Sequence, residues 1–376
     1  MDFLFTPPVP TIIQPFADFN LSCPCQQDLN STASSPSSAN FGLSYFTMTF
    51  GILSNLTGLA ILSSSYARFH RRAKTSFLLL ATSLLLTDLA GQLVTGAFAL
   101  HLHLGKVRRP LEATRTEPPQ GLCNLFGACM VYFGLCPLLL GSAMAVERCV
   151  GITQPLQHST MATIAHVRVA VILLIAVAFI IAMLPLLNVG TYKPQFPGTW
   201  CFLPIHGKLS HADASLALVF SSLGLAALTV SLLCNTVSWL TLLQARFSNQ
   251  GQKPTSSRRH RSSTSSSLHS LDVEMMVQLV VITIVSCVSW SPFLICISTS
   301  VRQFYKGYSK PDQHYEQQLL LGLRMASWNQ ILDPWVYILL RRAVLRRVCG
   351  LLQPNRNILT QSSSCTGSER QEIHLH

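Results

Sequence analysis

Apolar runs of about 20 or more residues recur along the chain near 42–66, 75–102, 121–153, 167–189, 213–245, 275–301 and 316–340, separated by polar connections. Each is long enough to cross a hydrocarbon core of roughly 30 Å as a helix, so the pattern predicts a bundle of seven spans. The third and seventh runs are the least regular, because polar residues interrupt them. In the seventh, Leu323 to Tyr337 reads LRMASWNQILDPWVY, with Arg324, Asn329 and Asp333 breaking the apolar pattern. An ionisable group near mid-membrane costs roughly 2.5–3.5 kcal/mol on insertion scales, so such groups face a cavity or the bundle interior. Pro334 removes a backbone donor and clashes with the preceding turn, which predicts a kink and leaves carbonyls for side chains or water to satisfy. At 1.5 Å per residue, Arg324 lies roughly 13 Å from Asp333, one towards a membrane face and the other near mid-depth.

The stretches outside the spans have a different composition. Residues 1–40 are rich in Ser, Pro, Asn and Thr, hold no Lys or Arg, and contain the sequons Asn20-Leu-Ser and Asn30-Ser-Thr. A disordered, glycosylated outer tail is the expectation. There is no basic region followed by a short apolar core, so no cleavable signal peptide is expected. Residues 248–271, SNQGQKPTSSRRHRSSTSSSLHSL, have the composition of an unfolded cytoplasmic linker with phosphorylation sites. In 341–352, Val344, Leu345, Val348, Leu351 and Leu352 fall on one face and arginines on the other, which predicts a short amphipathic helix lying on membrane lipid. Cys349 there is either a lipid attachment site or a free thiol. Residues 353–376 read as a disordered cytoplasmic tail.

Composition and charge sharpen the topology. The chain has 376 residues, 49% hydrophobic and only 11% charged, which fits a membrane protein and not a soluble one. Its net charge of +12 would suggest nucleic acid in a soluble chain, but here the basic residues sit between apolar runs and set orientation. Arg68, Arg71, Arg72 and Lys74, then Arg148 and Arg168, then Arg246, Lys253, Arg258, Arg259 and Arg261, and finally Arg341, Arg342, Arg346 and Arg347 mark the inner face. The N-terminus is therefore expected outside, in a multi-pass protein of the plasma membrane. The second connection departs from the rule, with Lys106, Arg108, Arg109 and Arg115 against Glu112 and Glu117. It is either a solvated loop or a positive field that steers an anionic ligand to the bundle mouth.

Most of the twelve cysteines lie within apolar runs. Cys123 opens the third span and Cys201 lies between the fourth and fifth, both on the oxidising face, so a bridge between them is expected to hold PQFPGTWCF over the bundle as a lid. Two free thiols, or a role for Cys23 and Cys25, are the alternatives. Asn55, Asp88, Asn329 and Asp333 fall at similar depth and are expected to form a buried network, serving as a packing element or as a switch. Glu147-Arg148 ends the third span at the inner face, and Trp290-Ser-Pro292 supplies a second proline kink with a bulky side chain beside it.

With seven spans, Asn55, Asp88, Glu147-Arg148-Cys149, Trp290-Ser-Pro292, Asp333-Pro334-Trp-Val-Tyr337 and the Cys123/Cys201 placement, the chain resembles the rhodopsin-like G-protein-coupled receptors. The ERC triplet, GTWCF and LRMASWNQILDPWVY are similar to the prostanoid receptors, over about Phe46 to Leu352. FGLCPLLLGSAMAVERCVGIT, FPGTWCF and DVEMMVQLV look most like the calcium-mobilising prostaglandin E2 branch, with the prostaglandin F branch next. The resemblance implies prostaglandin E2 or a related prostanoid as ligand, its carboxylate held by Arg324 and by Thr199, next to Trp200, with His103 in place of a common tyrosine. Gln92 stands where several relatives have a histidine. Met130, Trp290 and Ser327 would line the deeper pocket. Glu147, Arg148, Asp88, Asn329, Asp333, Pro334 and Tyr337 would couple it to a heterotrimeric G protein of the Gq class, with arrestin and receptor kinases as further partners. Pro137 stands at a place often used for sodium coordination, so no metal and no cofactor are implied.

A membrane enzyme would need a nucleophile with a base or clustered metal ligands, and none stands out; His101 and His103 lack acidic or Cys partners at ligand spacing. A transporter would show paired half-repeats, into which seven unequal spans do not divide. A receptor for another lipid acid is the closer rival.

Overall fold

A computed structural model of the chain describes residues 36–66, 72–108, 118–154, 164–205, 209–250, 262–307 and 313–339. Seven long helices account for most of them: α1 (Pro36–Tyr66), α2 (Arg72–Arg108), α3 (Gln120–Thr153), α4 (Ile164–Met183), α5 (His211–Gln250), α6 (Ser262–Tyr305) and α7 (Gln313–Leu339). Among the described residues, six helices are long and apolar enough to cross a membrane. The exception is α7, long enough at 27 residues but too polar on average, the result foreshadowed by Arg324, Asn329 and Asp333.

The helices form a closed ring with α3 at its centre. Helix α1 packs on α2 and α7, α7 on α6, α6 on α5, while α3 touches α2, α4, α5 and α6. The buried residues of α3 include Phe126, Val131, Leu135, Leu140 and Met144, whereas α4, apolar on every side beyond Arg168, leaves Val169, Ile172, Leu173, Phe179 and Ile180 exposed. Apolar side chains on both faces are what a bundle in hydrocarbon requires.

Two boundaries differ from the composition-based expectation. Helix α1 begins at Pro36, inside the stretch assigned to the tail, with proline at the first helical position where a missing N–H costs nothing. Helix α6 begins at Ser262 and so takes up the last ten residues of the Ser/Arg/His-rich stretch assigned to a linker. Extending a helix already nucleated by a span requires one bond per residue, a much smaller demand than starting a new one, so weak formers are carried along. The sequons at Asn20 and Asn30, the basic connection 109–117, residues 251–261, the amphipathic stretch 341–352 with Cys349, and the tail 353–376 lie outside the described residues.

The all-helical expectation omits one hairpin. Strands β1 (Lys193–Gln195) and β2 (Trp200–Phe202) pair antiparallel, with Pro194 opposite Cys201. Pro185 tightens the end of α4 into a single 3-10 turn, Leu184–Leu187, which Asn188 closes in the left-handed conformation at φ 65°. The chain then turns back across the mouth of the bundle at the end where α3 begins.

Candidate ligand cavity and inner coupling groups

Several anchors fasten the hairpin as a lid. Cys201 is bridged to Cys123 near the start of α3, with Cα atoms 5.4 Å apart. Tyr192 enters between α3 and α4: its hydroxyl donates to the Ala182 carbonyl at 2.8 Å, and its ring lies where a Cβ on Gly127 would come within 2.4 Å. Only glycine leaves room for that ring. Burial pushes the Tyr192 phenol up from its ordinary range, so it stays a neutral donor. Ser210 and Asp213 cap α5 reciprocally: Ser210 N–H donates to Asp213 Oδ2 at 3.2 Å and Asp213 N–H to Ser210 Oγ at 3.1 Å. The other oxygen of Asp213 accepts from Thr191 N–H at 2.7 Å, which ties the lid to the same cap. Beyond β2, Ser300 Oγ of α6 donates to the Ile205 carbonyl at 2.7 Å.

Beneath the lid lies a cavity holding about 970 Å³ of empty space, its open mouth included. Helix α7 contributes Leu323, Arg324, Ser327, Trp328 and Gln330, α2 contributes Gln92, Thr95 and His103, α3 contributes Phe126 and Met130, α1 contributes Ser44, Thr47 and Met48, and the lid contributes Pro197, Thr199 and Trp200. Seven residues singled out from sequence therefore meet on one cavity: Arg324, Thr199, Trp200, His103, Met130, Ser327 and Gln92. Arg324 and Ser327 are one turn apart, and Ser327 Oγ donates to the Arg324 carbonyl at 2.7 Å. Trp200 is anchored by its indole N–H, which donates to the Phe196 carbonyl at 2.8 Å.

Trp290 does not line this cavity. It is buried against Gly134 of α3, and its ring is 6.3 Å from Phe293, which in turn lies 6.5 Å from the lid's Trp200. The rings of Phe202, Phe220 and Phe293 pack on one another beside it. Two ring contacts thus connect Trp290 to the cavity wall.

The floor is a polar pair that sequence reasoning only half identified. Gln92 Nε2 donates to Gln330 Oε1 at 3.2 Å, and Gln330 Nε2 donates to the Phe133 carbonyl of α3 at 3.1 Å, so α2, α3 and α7 meet there. Gln330 was missed, although Arg324, Ser327 and Gln330 recur at the three-residue spacing that places side chains along one helix face.

Asn55, Asp88, Asn329 and Asp333 are all buried. Pro334 lacks the N–H that would serve the carbonyl four residues earlier, that of Gln330. Asn55 Nδ2 of α1 donates to that carbonyl at 2.9 Å, and Ser54 Oγ donates to the next one, Ile331, at 2.8 Å. The Asn55 side chain of α1 thus replaces the donor that proline removes, at a point where Gly58 lets α1 close on the Pro334 ring. Asn329 Nδ2 donates to Asp333 Oδ2 at 3.1 Å, and Asp88 is an electrostatic neighbour of Asp333. Among the described residues no group of three or more His, Cys, Asp or Glu is arranged to hold a metal ion.

At the inner end of α3, Arg148 Nε lies 3.1 Å from Glu147 Oε2 and its guanidinium stands 4.3 Å over the Phe77 ring of α2. Nearby helices α5 and α6 are joined by Asn235 Nδ2 donating to Thr283 Oγ1 at 2.5 Å. Tyr337 belongs to α7, but its side chain lies outside the described residues.

Residues 57–337 match the family described as "7 transmembrane receptor (rhodopsin family)". Among curated proteins, the chain is 43% identical over 359 residues to the prostaglandin E2 receptor EP1 subtype of Homo sapiens, covering 86% of each. It is 41% identical over 346 residues to the prostaglandin F2-alpha receptor of Homo sapiens, covering 92% of this chain and 88% of that one. Among solved structures, squid rhodopsin superposes with a TM-score of 0.64 at 14% identity, covering 90% of this chain and 94% of the other, a likeness of fold.

Proposed function

Because the chain belongs to the rhodopsin family of seven-transmembrane receptors and, within it, to the prostanoid receptors, we propose that it is a cell-surface receptor for prostaglandin E2. The observation that carries this reading is the cavity itself. A guanidinium, permanently charged, stands on α7 among lining groups that are apolar or neutral apart from His103. Arg offers a planar fork matched to a carboxylate, and the apolar walls of Met48, Phe126, Met130 and Leu323 suit the two hydrocarbon chains of a prostanoid. Thr199 and His103 assist the carboxylate from the lid and from α2, and Ser327 faces the body of the ligand.

Binding is transmitted through Trp200, Phe293 and Trp290 to α6 and through Gln330 and Asn329 to the polar groups beside Pro334. A two-state swing of the inner ends of α6 and α7 then opens a groove beside Arg148 for a heterotrimeric G protein of the Gq class, raising cytosolic calcium. The N-terminus faces outward, with Asn20 and Asn30 glycosylated, and arrestin and receptor kinases act on the inner segments. Similar identity to the prostaglandin F2-alpha receptor supports prostaglandin F2α as the second candidate ligand.

The test is cytosolic calcium in cells that display the full chain at their surface, dosed with a panel of prostanoids. Prostaglandin E2 is expected to act at the lowest concentration, with the response lost on Gq inhibition. A lower threshold for prostaglandin F2α would transfer the assignment to that ligand, and silence towards every prostanoid would overturn it.

A further inference from the structure

Helices α3 and α5 pack side by side, and two glycines fix their register. Gly134 of α3 faces the Phe220 ring of α5, and Gly224 of α5 faces Leu138 of α3; in both cases an added Cβ would lie 3.4 Å from the partner side chain. The two helices therefore advance together in the same direction. Cys149 follows Gly134 by fifteen residues and Cys234 follows Phe220 by fourteen, each about four turns of roughly 3.6 residues, so both return to the facing sides of their helices at one level. There the two thiols are in hydrogen-bonding contact, both half-buried and both free of a disulfide. Side chains one turn on bond to both turns: Thr153 Oγ1 donates to the Cys149 carbonyl at 2.7 Å, and Ser238 Oγ to the Cys234 carbonyl at 2.8 Å. Cys149 directly follows Arg148, and Cys234 directly precedes Asn235, whose side chain holds Thr283 of α6. The thiol pair thus spans the helix that carries Arg148 and the helix fastened to α6.

We infer that Cys149 and Cys234 are a redox modification site, a dithiol that hydrogen peroxide closes to a disulfide, holding α3 against α5 and blocking coupling. This rests on the reading that the C-terminal end of α3 faces the cytosol and meets a G protein there. In a reducing cytosol the pair stays open until an oxidant arrives. One sulfur, as thiolate, attacks a peroxide oxygen; the O–O bond breaks, a sulfenic acid forms, and the hydroxide released takes up the proton of that thiol as water. The second sulfur then attacks the sulfenic sulfur, the S–S bond forms as the S–O bond breaks, and hydroxide leaves with the second thiol's proton as another water. Two thiols are thereby oxidised by two electrons, and one peroxide is reduced to two waters. Opening a groove beside Arg148 needs α6, with the α5 it is bonded to, to shift against α3. A covalent link between α3 and α5 at that level favours the closed state.

The test treats membranes carrying the full receptor with hydrogen peroxide, removes the excess with catalase and alkylates the remaining thiols. Mass mapping of the unreduced digest, which needs no variant to fold, should show a peptide joining Cys149 to Cys234. Untreated, purified G protein of the Gq class is then added, so that oxidation of its own thiols does not contribute. Nucleotide exchange driven by prostaglandin E2 is expected to fall at least roughly fivefold, while antagonist affinity stays within about twofold. Cys149→Ser and Cys234→Ser should each keep their own untreated rate after peroxide. Absence of the joined peptide, exchange undiminished once it has formed, or an equal loss in both variants would each overturn the inference and leave the receptor assignment standing. No exchange from the untreated receptor with any prostanoid would overturn both.

Discussion

At the scale of single residues, the bond between Asn55 and the Gln330 carbonyl shows how one departure from helical regularity determines its neighbours. Pro334 strips that carbonyl of its backbone donor, and in hydrocarbon water is not at hand to replace it, so a side chain of another helix must. Asn55→Ala is expected to destabilise the receptor by about 1–3 kcal/mol, read as a lower melting temperature in detergent, because it strands a buried acceptor. The loss should be much smaller in a Pro334→Ala background, where the backbone N–H is restored. Equal losses in both backgrounds would mean that Asn55 acts through something other than this carbonyl. The need for partners was legible from Pro334 and the polar residues around it; their pairing was not, because it depends on the rotation of α1 against α7. That Trp290 does not line the cavity has a related reason. Its position on α6 follows from the sequence, but whether aromatic rings from β2, α5 and α6 fill the space in front of it is decided by packing.

At the scale of elements, the lid is where local sequence and tertiary constraint meet. The bridge expected from topology is present, yet the hairpin was not foreseen, since strands of three residues are too short to give an alternating pattern. Asp213 as an anchor was within reach, because Ser210-x-x-Asp213 before an apolar run is a capping box. Its second role, accepting from Thr191, was not. The lid places Thr199 and Trp200 on the cavity, so its attachment should control ligand binding. Replacing Cys123 or Cys201 by Ser is expected to reduce both surface expression and prostanoid binding, measured by surface labelling and saturation binding of the same cells. Normal binding in both variants would mean that Tyr192, Asp213 and Ser300 hold the lid without the bridge.

At the scale of the whole molecule, the ring of helices joins a cavity at one end to charged groups at the other. The fold was largely legible in the sequence, because hydrocarbon leaves so few alternatives for backbone groups. The seventh helix could be counted only by allowing that polar residues in a span face inward, which is also what located the cavity. Arg148, paired with Glu147 and stacked on Phe77, ties the C-terminal end of α3 to α2. Arg148→Ala is expected to abolish calcium signalling while antagonist affinity stays within about twofold; an equal loss of antagonist binding would make the residue structural. The central claim is that the cavity holds a ligand carboxylate at Arg324, and a double cycle of receptor and ligand tests it most directly. Binding of prostaglandin E2 and of its methyl ester is measured at the unmodified receptor and at Arg324→Gln. Losing a charge-assisted hydrogen bond of about 1.5–3 kcal/mol, the variant should bind the acid roughly tenfold to a hundredfold more weakly. Esterification should weaken binding to the unmodified receptor but hardly affect the variant, leaving a coupling energy of about 1–3 kcal/mol. Additive losses, with no coupling between residue and carboxylate, would contradict the account.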